Sequence, residues 1–245
     1  MKDLTQYKAL SFDCYGTLID WEAGLANVLR PWSKEVGLDL DDEALLLAYA
    51  DNEAAVMRQR PADLYPQLLA EALRRTGRDL EKPVSDHWAE RMGSSVPDWP
   101  AFGDSAQALA LLGTYYDLII LSNVHRDGFA GSNRRLKGEY AAIITAEDVG
   151  AYKPASPHFK ALESWLAEHN IAREDLLHVA QSLFHDHVPA RRFGLDSVWI
   201  NRRHSRPGWG ATPEPAEQWS YAAEYTSMAE FAGAVSQAFD HRGGR

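Results

Sequence analysis

Asp13 closes an apolar run and opens the turn Cys14-Tyr15-Gly16-Thr17. A carboxylate at the carboxyl end of a central strand stands where open α/β sheets place their sites. Followed by a Gly-Thr turn whose N–H groups and hydroxyl can keep it ionised, Asp13 is a candidate nucleophile; the alternative is a carboxylate that only caps a turn. Three further polar clusters follow apolar runs: Ser122-Asn123, Tyr152-Lys153-Pro154, and Gln181-Ser182 leading to Asp186. Each also has a plainer reading, as a solvated loop lysine, a strand end or a helix N-cap.

These residues need strands to bring them together. Lys8–Phe12, Leu118–Leu121, Ala142–Thr145, Leu177–Ala180 and Ser197–Ile200 read as buried strands. Helical spacing between the last four, such as Phe159, Leu162, Trp165 and Leu166, predicts βαβ units around a doubly wound, Rossmann-like parallel sheet. The first gap differs. From about Trp21 to Pro100 only amphipathic stretches occur: Leu25–Val36, Glu43–Met57, Leu64–Thr76 and Val84–Met92. An ordinary crossover needs one helix, so this block predicts an inserted helical subdomain over residues 20–100, with residues 1–19 and 101–245 forming the α/β core. Arg202 to Ala216 reads as a loop, and Met228–Phe239 as the last helix.

The net charge of −10 argues against a nucleic-acid or anionic-membrane binder, both of which need a basic face. Cys14 is the single cysteine, so no intramolecular disulfide can form. With no signal-peptide pattern at the start, a cytoplasmic location is expected. No apolar run is long enough for a transmembrane helix. A homodimer is compatible with such a chain.

The run Phe12 to Asp20 resembles the first signature of the haloacid dehalogenase superfamily. Leu121-Ser122-Asn123, Tyr152-Lys153-Pro154 and Val179 to Asp186 resemble the second, third and, in part, fourth signatures in order. The resemblance covers Tyr7 to about Arg203 and implies that superfamily's fold with a helical cap. Phosphatases of the superfamily carry an acid two residues after the nucleophile, where this chain has Tyr15, and an acidic residue where it has Gln181. Magnesium wants enough anionic oxygen ligands to offset its dehydration, so no metal and no other cofactor is expected. The Asp-x-Tyr-Gly-Thr form is similar to the 2-haloacid dehalogenases, which attack carbon without a metal. Within that group, Asp13 to Glu22, His185-Asp186-His187 and Gly208 to Thr212 most resemble azetidine-2-carboxylate hydrolase, a ring-opening relative.

The resemblance implies an aspartyl-ester mechanism on a small 2-substituted carboxylic acid. By the same resemblance Asp13, Lys153, Asp186 and Thr17 would be catalytic, and Tyr15, Ser122, Asn123, Ser182 and Trp21 would bind substrate. Lys153 would keep Asp13 ionised, Ser122, Asn123 and Thr17 would bind the substrate carboxylate or the spare oxygen of Asp13, and Asp186 would orient Lys153 and help activate water. Three positions depart from the haloacid enzymes. Tyr49-Ala50-Asp51 falls where those enzymes carry a halide-handling arginine, Leu183 falls at their fourth-signature asparagine, and Phe159 at a tyrosine. Asp51 and Glu53 would make an acidic cap face suited to an amine. Competing readings are a phosphatase of the same superfamily and a catalytically silent binding module. Cys14 reads as core, and His185 and His187, which diverge on a helix, as structural or solvent-facing. Trp209, like Trp21, reads as pocket wall or aromatic packing. The pairs Arg134–Arg135 and Arg202–Arg203 read as solvated charges.

Overall fold

The computed structural model describes residues 2–206, 208–215 and 217–243. Six parallel strands form one sheet: β1 (Ala9–Phe12), β2 (Asp117–Ser122), β3 (Ala142–Thr145), β4 (Leu176–Ala180), β5 (Asp196–Ile200) and β6 (Ala223–Tyr225), in the order β3-β2-β1-β4-β5-β6. Strand β1 is central and buried throughout, as its near-continuous apolar run requires when helices cover both faces. After β3 the chain crosses to the other side of β1, so β1 and β4 flank the switch point where such sheets hold ligands.

Four helices follow β1 before the chain returns to the core: α1 (Trp21–Glu35), α2 (Asp42–Gln59), α3 (Tyr65–Asp79) and α4 (Asp86–Gly93). Asp20 caps α1 by accepting from the Ala23 N–H, and Asp41 caps α2 by accepting from that of Ala44. In the core, α5 (Ser105–Leu112) packs with the last helix, on one face of the sheet, while α6 (Arg126–Leu136) follows β2. The short α7 (Ala146–Val149) leads to α8 (Pro157–Glu168), whose Phe159, Leu162 and Leu166 pack with Ile119 and Leu121. Beyond β4 come a five-residue π-helical turn, Leu183–His187, and α9 (Val188–Arg192); α10 (Met228–Gly243) ends the chain.

Strand β6 is absent from the sequence reading because its three residues are only partly buried and carry no apolar run. The loop from Arg202 is irregular as expected, with Pro207 and Ala216 outside the described residues. Arg202 and Arg203 are not solvated. Arg202 donates to the Thr17 carbonyl and to both oxygens of Asp104, and lies over the Phe102 ring. Arg203 pairs with Glu22 of α1 and Glu43 of α2, tying the core to the insert. Among the described residues no helix is long and apolar enough to cross a membrane.

The insert returns to the core past Trp99, which is buried against the first turns of α1. A methyl group on Gly24 would lie 2.3 Å from the indole Cγ. Alanine is the better helix former by about 1 kcal/mol, but the overlap opposes it. Gly24→Ala should therefore lose about 1–3 kcal/mol in urea unfolding; a variant as stable as the parent would mean that the helix can retreat from Trp99.

Candidate active site

The carboxyl edge of the sheet gathers three buried charges. Asp13 follows β1, and its N–H donates to the Val179 carbonyl of β4, 3.1 Å away. Thr17 Oγ1 donates to Asp13 Oδ2 at 2.7 Å and accepts from the Gln181 N–H at 2.9 Å, so one hydroxyl fixes both the Asp13 carboxylate and the end of β4. The turn between them depends on Gly16, whose φ is +98°. A Cβ there would lie 3.0 Å from Gln181 Oε1 and 3.2 Å from Trp21 Nε1.

Lys153 reaches the same point from the loop before α8. Its Nζ donates to Asp13 Oδ1 at 3.0 Å, Asp186 Oδ1 at 2.7 Å and the Leu121 carbonyl at 2.8 Å. An ammonium has three N–H donors, so none remains for a ligand. Asn123 holds the loop by a reciprocal pair: Oδ1 accepts from the Lys153 N–H and Nδ2 donates to the Lys153 carbonyl. Asp186 is steadied from behind by His178 Nε2 at 3.1 Å, and His178 Nδ1 meets Ser11 Oγ at 2.8 Å. Ser11 and His178 are register partners across β1 and β4. Polar residues inside two buried strands were the sequence signal for this pair.

Burial pushes Asp13 upward and Asp186 adds to the rise, while Lys153 and Thr17 pull against it; the balance lies above the ordinary aspartate value. Burial acts on Asp186 in the same direction, but Lys153 and His178 overcome it and hold this carboxyl well below the usual range. Lys153 is raised, its two carboxylates outweighing burial. Asp186 is therefore the fixed anion, and Asp13 is the group whose charge is more easily neutralised.

A cavity of about 60 Å³ opens in front of Asp13. Its core wall includes Tyr15, Asn123, Ser182, His185 and the loop residues Ala211 to Pro213. Its other wall is one face of α2, Ala50, Glu53, Ala54 and Met57, the i, i+3, i+4, i+7 set of a helix. Trp21 and Gln181 stand between it and a larger cleft of about 360 Å³. Glu53 is buried, with Oε1 accepting from Tyr65 at 2.8 Å, and burial pushes its carboxyl up to about 7. Asp51, two residues earlier, is exposed on the opposite side of α2.

The sequence-derived set is thus distributed unevenly. Asp13, Lys153, Asp186 and Thr17 form one hydrogen-bonded group, and Tyr15, Trp21, Asn123 and Ser182 line the cavity. The Tyr15 hydroxyl is engaged with Ser132 at 2.9 Å, so that residue offers the cavity its ring. Ser122 lies apart: its hydroxyl is buried with no partner among the described residues and it does not line the cavity, because successive residues of a strand face opposite sides and Asn123, its neighbour, takes the cavity side. The two histidines diverge. His187 is buried between Ser197 and the Ala180 carbonyl, whereas His185 faces the cavity rather than solvent. Trp209 contacts Trp219 and does not line the cavity, and Cys14 is core. Tyr65, His178 and Ser11 were not named from sequence.

A magnesium site does not fit these residues. The two carboxylates that could serve are spent on Lys153, Gln181 and Tyr15 occupy the other expected positions, and among the described residues no group of three acidic, histidine or cysteine side chains could hold a metal.

No family model matches the chain, and no curated protein matches its sequence. Solved structures do. L-2-haloacid dehalogenase RSc1362 is 21% identical over 94% of this chain and 99% of that one, with a TM-score of 0.76. L-2-haloacid dehalogenase from Xanthobacter autotrophicus with chloropropionic acid covalently bound is 17% identical over 94% and 98%, with a TM-score of 0.74. The HAD-hydrolase YfnB from Bacillus subtilis, bound to magnesium, is 17% identical over 94% and 99%, with a TM-score of 0.73. At such identities the likeness establishes the haloacid dehalogenase fold.

Lys153→Met would leave two buried carboxylates facing each other. Their pKa values would then exceed the unfolded value of about 4, so the native state would bind protons that the unfolded chain releases. The loss of stability should be about 3–5 kcal/mol at neutral pH and should shrink as pH falls toward 4. Urea unfolding at pH 5 and pH 8 checks this; a loss independent of pH would mean that Lys153 acts by packing alone.

Proposed function

We propose that this chain is a hydrolase whose Asp13 displaces a leaving group from a carbon of a small 2-substituted carboxylic acid, with α1–α4 acting as a cap. What carries the reading is Asp13 itself: a carboxyl group fixed at one oxygen by Thr17 and at the other by Lys153, open to the cavity and flanked by a tyrosine ring instead of an acid. Attack by its oxygen forms an aspartyl ester and expels the leaving group, and water then cleaves the ester. Asn123 lines the cavity and has a second Nδ2 N–H, which would hold the substrate carboxylate. A phosphoryl substrate would lack both the metal and the general acid it needs. In a single turnover with excess enzyme in oxygen-18 water, the first product should carry unlabelled oxygen from Asp13; labelled product from that turnover would remove the ester.

The leaving group is better served as a nitrogen than as a halide. The cavity wall includes Asp13, Asp186 and Glu53 but a single cation, Lys153, whose donors are all committed. A departing anion would develop charge against these carboxylates. The protonated ring nitrogen of azetidine-2-carboxylate would instead pair with Glu53, and ring strain would drive the opening. Azetidine-2-carboxylate should show a kcat/KM at least about tenfold above 2-chloropropionate, and Glu53→Gln should narrow that gap, since one lost charge-assisted contact is worth about 1.5–3 kcal/mol. Equal turnover of the two compounds would remove Glu53 from leaving-group recognition.

A further inference from the structure

Hydrolysis of an ester on Asp13 needs a base that water can reach, and Asp186 does not supply one. Its Oδ1 accepts from Lys153 and His178, and its Oδ2 is sealed from solvent with no partner among the described residues. Although Asp186 borders the cavity, it does so as the partner of Lys153 and offers water no free oxygen.

His185 is differently placed. The π-helical turn begins at Ser182, whose carbonyl accepts from the N–H of His187 five residues on, and such turns recur at functional sites. Ser182 Oγ accepts from the His185 backbone N–H at 2.9 Å and lies 3.0 Å from His185 Nδ1. The imidazole is therefore clamped at its backbone and at one ring nitrogen, while Nε2 has no protein partner among the described residues. The ring lines the same cavity as Asp13. Burial is the main influence on it and holds it neutral down to about 4, so the free base persists at neutral pH.

We propose that His185 is the general base for the second half of the reaction, an assignment that rests on the Asp13 ester. With its proton on Nδ1, donated to Ser182 Oγ, Nε2 takes a proton from water as the water oxygen bonds to Cγ of Asp13. The tetrahedral species then collapses. The bond from Cγ to the substrate oxygen breaks, that oxygen takes the proton back from Nε2 to give the alcohol, and the Asp13 carboxyl loses its remaining proton to solvent. Glu53, on the insert wall, serves the leaving group in the first half and takes no part in this one.

The halves separate in rapid-quench experiments with the faster of azetidine-2-carboxylate and 2-chloropropionate, following leaving-group release and the mass of the Asp13 peptide. His185→Asn should release about one equivalent of leaving group at a rate close to that of the parent, accumulate the Asp13 adduct, and turn over some 10²–10⁴-fold more slowly. Ser182→Ala, which removes only the clamp, should accumulate adduct with a smaller fall, and provides the test if His185→Asn does not fold. Glu53→Gln should slow the first release without accumulating adduct. A His185→Asn enzyme that slows release and hydrolysis alike, or an adduct that builds up in Glu53→Gln instead, would overturn the assignment of His185 while leaving the ester intact. Labelled oxygen in the first turnover of the parent, with no adduct in any variant, would overturn both.

Discussion

The site depends on one buried ammonium. Asp13 and Asp186 arrive from the ends of β1 and β4, strands that are neighbours in the sheet, so topology alone would force two carboxylates together. At an effective dielectric constant near 20, like charges 4 Å apart repel by about 4 kcal/mol, and each buried ion also carries a desolvation penalty of several kcal/mol. Lys153, almost fully buried, offsets both by lying within 3.0 Å of each carboxylate. Its third N–H is absorbed by the Leu121 carbonyl at the end of β2. The loop that carries it is held in turn by Asn123, so β1, β2 and β4 are tied together at their carboxyl ends by one side chain and its clasp.

That arrangement has a consequence for selectivity. Because all three ammonium donors are committed, the positive charge stabilises the protein's own carboxylates and is unavailable to an anion in the cavity. The charge balance facing a ligand is then set by Glu53, the carboxylate of the α2 face. Its position near neutrality, about 7, gives it both an ionised form that attracts a cation and a protonated form that donates a hydrogen bond. Tyr65 holds it in one orientation in either form.

Much of this was legible in the sequence, for physical reasons that differ from element to element. Buried parallel strands have near-continuous apolar runs, which exposed β1 to β5; β6 pairs through its backbone at the sheet edge and needs no such run. Asp13, Lys153 and Asp186 were findable because they directly follow strands or their loops, where the sheet delivers side chains to one place. Glu53 and Asp51 could not be separated by composition, only by helix phase: two residues apart on α2, they face opposite ways. Arg202 and Arg203 read as solvent-facing because their partners, Asp104, Glu22 and Glu43, are distant in sequence. His185 stood out in the His185-Asp186-His187 run, but its orientation had no signal, since the π-helical turn that clamps it depends on i→i+5 hydrogen bonds that residue types do not encode.

The chain from Ser11 through His178 to Asp186 explains why the site separates its duties. Had Asp186 been left with an oxygen open to the cavity, it could have acted as a water-activating base, but its charge would then have been divided between water and Lys153. His178 occupies the same oxygen that Lys153 uses, and the other oxygen is sealed. A carboxylate so enclosed keeps its proton affinity low and constant, which fixes the charge of Lys153 and, through it, the ionisation of Asp13. Proton transfer then falls to groups that face the cavity and sit on different walls: a histidine beside the strand ends and a glutamate on the insert. A group that must keep its charge and groups that must change theirs need opposite environments, one closed and one open, and the end of β4 provides both within two consecutive residues, His185 and Asp186.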